Sequence, residues 1–199
     1  EAIFGVRPLV SGEIRVDGQR IGSAADSIEA GGGLVPEDRA RNGLVLPASV
    51  EENIVLGSLR DIARAGFRNR RAERQLAERM ITQLGVKAYS PNVVSGTLSG
   101  GNQQKLSLAK WLAHSLNVLL IDEPTRGVDV GSKAEIHGLV RELSDQGVAV
   151  LMVSSDMREL LSVPDRILVM REGRIVGEMD AASASEEKVI SLASGVMAA

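Results

Sequence analysis

Residues 97–108 read TLSGGNQQKLSL, and further along the chain comes NVLLIDEPTRGVD. Both stretches carry residue types able to do chemistry on an anion. In the first, Ser99 stands just ahead of a segment with helical spacing and can cap it. Gly100 and Gly101 let backbone N–H groups approach a ligand without a Cβ in the way, where the helix dipole favours negative charge. A phosphate fits such a junction. In the second stretch an apolar run ends in Asp122 and Glu123, which places two carboxylates at the carboxyl edge of a sheet, where open α/β sheets bind ligands. Such an adjacent pair suits Mg²⁺ held through water and a base or water-orienting group for phosphoryl transfer. Taken singly, each has a plain account, a capped glycine turn or a solvated strand end. Their order and spacing together favour nucleotide chemistry.

The elements that must position these residues can be read from pattern. EIRVDGQRI offers two short strand-like runs around Asp17-Gly18, the signal of a type I′ hairpin. EAGGGLVPEDRARNGLVL reads as loop chemistry around one buried strand, and the opening residues read as the tail of an apolar helix or strand in a fragment. In SVEENIVLGSL, Ser49 and Glu52 have capping-box spacing. An arginine-rich stretch from Arg64 to Arg79 continues helical to a stop at Gly85, and with Glu73 and Glu78 interleaved it reads as a solvated helix face. Helix to about Ser115, strand VLLI, a helix with Ile136, Leu139, Val140 and Leu143 on one face, and an apolar strand VAVLMV follow. A short helix, RILVM, a turn at Glu172-Gly173, RIVGEM and a last helix end the chain. Alternating buried strands and amphipathic helices predict an α/β layer with a largely parallel sheet.

Composition narrows the function classes. A net charge of −3 and an aromatic content of 2% argue against nucleic acid as a partner. There is no cysteine, hence no disulfide framework and no thiolate metal site. No window approaches the ~20 apolar residues of a membrane-spanning helix. His114 and His137 have no ligand-type neighbours at metal-site spacing and read as surface or packing residues, and Trp111 reads as core.

LSGGNQQK, LLIDEPTRGVD and VSSD together resemble the signature motif, Walker B with D-loop, and switch region of the ATP-binding cassette (ABC) ATPases. More narrowly, the chain resembles the second cassette of the double-cassette subunit in bacterial monosaccharide importers of the ribose, galactose and xylose type. The resemblance covers nearly the whole chain. It implies a P-loop NTPase-like cassette with a largely parallel sheet core, an antiparallel β piece at the N-terminus and an inserted helical subdomain. One partial cassette then spans residues 1–199, divided into a β piece with a Q-loop-like region at 1–45, a helical subdomain at 46–98, and the signature helix with the remaining α/β part at 99–199. It implies ATP and Mg²⁺ as cofactors. The implied partners are the other cassette, a transmembrane permease and, indirectly, a periplasmic sugar-binding protein, with the subunit peripheral on the inner face of the cell membrane.

Carried onto this sequence, the family pattern puts Ser99, Gly100, Gly101 and Gln103 on a nucleotide held by the partner cassette, with Lys105 orienting the loop or touching the nucleotide. It puts Asp122 on the Walker B magnesium, Glu123 at the catalytic base and Asp129 in the D-loop. VPEDR places Glu37 where other cassettes carry the Q-loop glutamine, and Ser155 stands where the switch histidine belongs. No G-x-x-x-x-G-K-[ST] occurs in the 199 residues, so the Walker A segment is absent from this chain. The expectation is a cassette impaired at its own site that lends its signature to another, with the isolated fragment inactive. The alternative is a non-transport ABC ATPase of DNA repair or translation, for which long coiled coils or basic arms would be expected.

Overall fold

Asp17 and Gly18 reverse the chain with φ of 47° and 80°, as a type I′ turn requires, and pair β1 (Ile14–Val16) with β2 (Gln19–Ile21) antiparallel. The computed structural model describes residues 1–63 and 67–195. Arg64, at the head of the arginine-rich stretch, lies outside the described residues. The opening segment is neither helix nor strand but a series of turns, because Gly5 and Gly12 both take φ of +81° and Pro8 intervenes. It still contributes to the core, where Phe4 meets Trp111 edge to face at 5.5 Å.

The described residues divide into two compact units, one within 1–151 and one within 152–195. In the first, α1 (Ala24–Glu29) leads into β3 (Gly32–Val35), and β4 (Val118–Asp122) lies beside β3 in parallel, with Gly32 opposite Val118 and Val35 opposite Ile121. β3, β4 and β5 (Ala149–Val153) form a three-stranded sheet in that order. The glycine run is packing as much as turn: a Cβ on Gly32 would stand 2.7 Å from Ser27 Oγ. β5 is not the buried strand that its apolar run predicts, since its residues alternate between exposed and half-buried.

Between β3 and β4 the chain makes a π-helical turn (Arg39–Gly43) and then a helical block, α2 (Val50–Val55), α3 (Leu59–Ile62) and α4 (Arg70–Gln83). Ser49 and Glu52 form the complete capping box, and Gly85 follows α4 at φ +58°. Asn53 is the polar centre of this block. Fully buried, its Oδ1 accepts from Val45 N (2.8 Å), and its Nδ2 donates to Val45 O (3.0 Å), Ser49 O (3.0 Å) and Ser95 Oγ (2.9 Å). The arginine-rich face differs from expectation at one residue. Glu73 is 0% exposed, gripped by Arg68 through Nε at 2.9 Å and Nη2 at 2.7 Å. α5 (Gly100–Leu112) and α6 (Val130–Asp145) complete the unit, with Leu106, Leu108 and Ile136 fully buried.

In the second unit α7 (Met157–Ser162) precedes an antiparallel hairpin, β6 (Arg166–Arg171) and β7 (Arg174–Asp180), closed by Glu172 and Gly173 at positive φ. α8 (Glu186–Ser194) lays Val189 and Leu192 against Ile167 and Val169, with Met157 and Leu161 of α7 packed on the same cluster. No helix among the described residues is long and apolar enough to cross a membrane.

Candidate nucleotide-facing site

Parallel pairing of β3 with β4 sends both chains out at one edge. Because Val35 sits opposite Ile121, Glu37 leaves that edge just beyond β3 while Asp122 and Glu123 leave it at the end of β4. Glu123 takes φ of 50°, a left-handed conformation uncommon for its residue type, which turns the chain sharply as it quits the strand. Among the described residues no cluster of three or more histidines or carboxylates is placed to hold a metal ion. The two adjacent carboxylates fit Mg²⁺, which is commonly bound through one or two carboxylates and completes its octahedron with water and phosphate oxygens.

Glu37 does not stand alone at that edge. Its carboxylate pairs with the Arg126 guanidinium, and Arg39 donates through Nη1 to Arg126 O at 2.9 Å and through Nη2 to Gly127 O at 3.5 Å. The segment that follows β3 is therefore fastened to the segment that follows Glu123. Burial lowers the Arg39 pKa from the ordinary arginine value.

Ser99 is the exposed N-cap of α5, its Oγ accepting from Asn102 Nδ2 at 2.8 Å and from Asn102 N at 3.5 Å. Asn102 Oδ1 in turn accepts from Lys87 N at 2.7 Å, tying the loop after α4 to the signature. Gly100, half-buried, and Gly101, buried, form the first turn, so their N–H groups have no partner within the helix. Neither position has room for a side chain. A Cβ on Gly100 would lie 2.6 Å from Gly127 O and 2.8 Å from Arg39 Nη2, and one on Gly101 would lie 2.6 Å from Ser132 Cβ.

Asp129 caps α6, accepting from Ser132 N at 3.0 Å and Ser132 Oγ at 2.8 Å, and the Ser132 backbone bond is the main cause holding its pKa below the usual aspartate value. The signature's first turn, Asp129, Gly127, Arg39 and Glu37 are thus brought onto one surface. Gln103 turns toward Ser95 O at 3.4 Å. Lys105 points inward, donating to Gly85 O at 3.1 Å and pairing with Glu135 at 2.5 Å.

Ser155 lies in the second unit, in the bend between β5 and α7. Its neighbour Ser154 donates to the buried Glu159 at 2.6 Å and accepts from Asp156 N at 3.0 Å, which sets the shape of that bend. Trp111 is core as predicted, with Lys110 Nζ 5.0 Å above its ring. His114 contacts the Gly57 carbonyl through Nε2, a packing role. Sequence reasoning missed the parts played by Arg39 and Arg126. The available signal was two arginines, one in each of two motif-bearing loops at a shared sheet edge.

The family model for ABC transporters matches residues 1–126. The chain is 48% identical over its whole length to ribose import ATP-binding protein RbsA 2 of Streptomyces avermitilis, 45% identical over 97% of its length to RbsA of Streptococcus agalactiae, and 42% identical over 98% to RbsA of Bacillus licheniformis. It spans about 40% of the length of each of those curated relatives. The fold matches a dimeric ATP-binding cassette in a post-hydrolysis state with ADP and Pi (TM-score 0.75, 20% identity, 89% of this chain and 77% of that one). It also matches the cbiO1 cassette of Clostridium perfringens, part of the cbiONQ transporter complex (TM-score 0.74, 22% identity, 94% and 73%). The chain belongs to the ABC transporter family, with the α/β fold of its ATP-binding cassettes.

Proposed function

We propose that this chain is part of the ATP-binding component of a monosaccharide importer of the ribose type, in which its signature serves ATP held by a second cassette while its own site is catalytically impaired. The observation that carries the reading is the N-terminus of α5, capped by the exposed Ser99. Ser99 is exposed and Gly100 half-buried, and the first-turn N–H groups of Gly100 and Gly101 have no partner within the helix. Preorganised donors of this kind stabilise charge that develops on a transferring phosphoryl group. Glu37, engaged by Arg126, and Ser155 in place of an imidazole leave the cis site with neither a free amide at the Q-loop position nor a histidine at the switch.

In this reading ATP and Mg²⁺ are the cofactors, with Asp122 holding magnesium through water and Glu123 placed as base. The partners are the other cassette and a membrane permease, reached indirectly by a periplasmic sugar-binding protein, and the subunit lies against the inner face of the membrane. The high identity to ribose import ATP-binding proteins supports the importer over a DNA-repair or translation ATPase.

The test compares Ser99→Arg with Glu123→Gln in the reconstituted transporter under saturating sugar-loaded binding protein. Ser99→Arg puts bulk where the partner's γ-phosphate docks and should cost about three decades of turnover, the scale of contacts made only to the transferring phosphate. Glu123→Gln should cost only a few-fold. Equal damage from both overturns the asymmetric assignment. The isolated chain should release phosphate from Mg-ATP at background rate.

A further inference from the structure

The π-helical turn Arg39–Gly43 is held from several directions. Asp38 caps it by accepting from Arg41 N at 3.1 Å, and Leu44 N closes back on Arg39 O at 2.8 Å. Its far end is fixed to the signature helix, where the half-buried Lys110 donates to Gly43 O at 2.7 Å. The packing there is close, since a Cβ on Gly43 would lie 3.2 Å from Arg39 Cβ and 3.3 Å from Ser107 Oγ. The backbone of Arg39 is thus anchored on α5 at Lys110, about 15 Å along the axis from Gly100. Its side chain returns to the other end of the same helix.

There the guanidinium bonds the Arg126 and Gly127 carbonyls, while Nη2 and Gly127 O both come to within 2.8 Å of the space a Gly100 Cβ would fill. The cation lies beside the positive end of the α5 dipole, an arrangement that disfavours α5 itself. Arg39 Nε is buried without a partner, a further cost. What these costs secure is the D-loop. Gly127 runs at φ +66°, and its carbonyl is held by Arg39, while the Arg126 side chain is held by Glu37.

We propose that Arg39 is a positioning residue that holds the D-loop segment Arg126–Gly127 in register with the first turn of the signature helix. The signature and D-loop then move as one piece toward the partner's nucleotide. The turnover consequence rests on the trans reading of the signature given above; the hold on the D-loop does not.

Hydrogen exchange on the intact protein tests the hold directly. Arg39→Ala should raise exchange about tenfold across residues 124–132, as loss of a charged hydrogen bond would, and leave the 166–180 hairpin unchanged. Added guanidinium should slow exchange again, and Arg39→Lys should fall between. Unchanged exchange at 124–132, or an equal rise in every segment, overturns the proposal. In the assembled transporter Arg39→Ala should lower kcat with little change in KM for ATP, because the nucleotide is held by the other cassette. If turnover survives Arg39→Ala while Ser99→Arg abolishes it, the positioning role is overturned. If turnover also survives Ser99→Arg, the trans reading of the signature fails, and the exchange result alone decides whether Arg39 holds the D-loop.

Discussion

Lys105 of α5 and Glu135 of α6 meet at 2.5 Å, with the ammonium side chain 5% exposed and the carboxylate 49% exposed. The lysine of the signature stretch therefore joins two helices, and through Gly85 O it also joins the loop after α4. The hydrogen bond from Lys105 is the main cause lowering the Glu135 pKa below the ordinary glutamate value. Folded Glu135 thus gives up its proton at lower pH than it does unfolded. Its contribution to stability is complete above the ordinary glutamate range and is lost as pH falls through the lowered folded value. Melting temperature against pH should show this acid limb in the wild type and a shallower one in Glu135→Gln. Lys105→Ala, which also removes the charged bond to Gly85 O, should cost about 2 kcal/mol near neutral pH by urea denaturation.

Gly100→Ala and Gly138→Ala should have opposite signs. The first drives a Cβ to 2.6 Å from a backbone oxygen, Gly127 O, and overpacking of that kind costs about 1–3 kcal/mol. Gly138 has nothing within 4 Å and lies inside α6, where alanine should add about 0.5–1 kcal/mol. Paired denaturation curves decide it. The same crowding makes Gly101→Asp a poor probe of function and leaves the exposed Ser99 the cleaner one.

Removing Arg68 strands a carboxylate that is wholly covered. Arg68→Ala should therefore destabilise more than Arg70→Ala, whose exposed guanidinium reaches Glu73 only at 3.6 Å. Thermal melts of the two single variants and of Arg68→Ala with Glu73→Leu provide the comparison. The double variant should recover part of the loss, because an apolar residue leaves no buried charge unpaired.

Asn53→Ala leaves the Val45 N–H and C=O without their partner and should cost about 2–4 kcal/mol, read as a lower urea midpoint with an unchanged slope. Ser49→Ala, which loses one cap, should cost about 1 kcal/mol.

Features decided by near neighbours in sequence were legible. Asp17-Gly18 and Ser49 with Glu52 specify their own geometry, and the apolar face of Ile136, Val140 and Leu143 declares a helix and its buried side. Glu73 was misread because its partner Arg68 lies outside α4 and reaches back over the carboxylate, so helical spacing alone shows only a charged stripe. The π-turn left no signal in RARNG, since its anchor, Lys110, is distant in sequence. The motif residues could be named from order and spacing, but the register that sets Val35 beside Ile121, and with it the meeting of Arg39 and Gly127, belongs to tertiary structure.

Glu123 occupies a backbone conformation that a glycine would adopt without penalty. Left-handed geometry costs a side-chain-bearing residue about 1 kcal/mol, a sum the fold forgoes to keep a carboxylate at the end of β4. Stability alone therefore favours glycine at this position. Glu123→Gly should melt higher than Glu123→Ala or Glu123→Gln while lacking the carboxylate they also lack, and a library selected only for thermal endurance should drift toward glycine or asparagine there. A library selected for nucleotide turnover in the assembled transporter should return to glutamate only to the extent that this carboxylate still does chemistry. The balance between the two selections measures how much turnover depends on the Glu123 carboxylate.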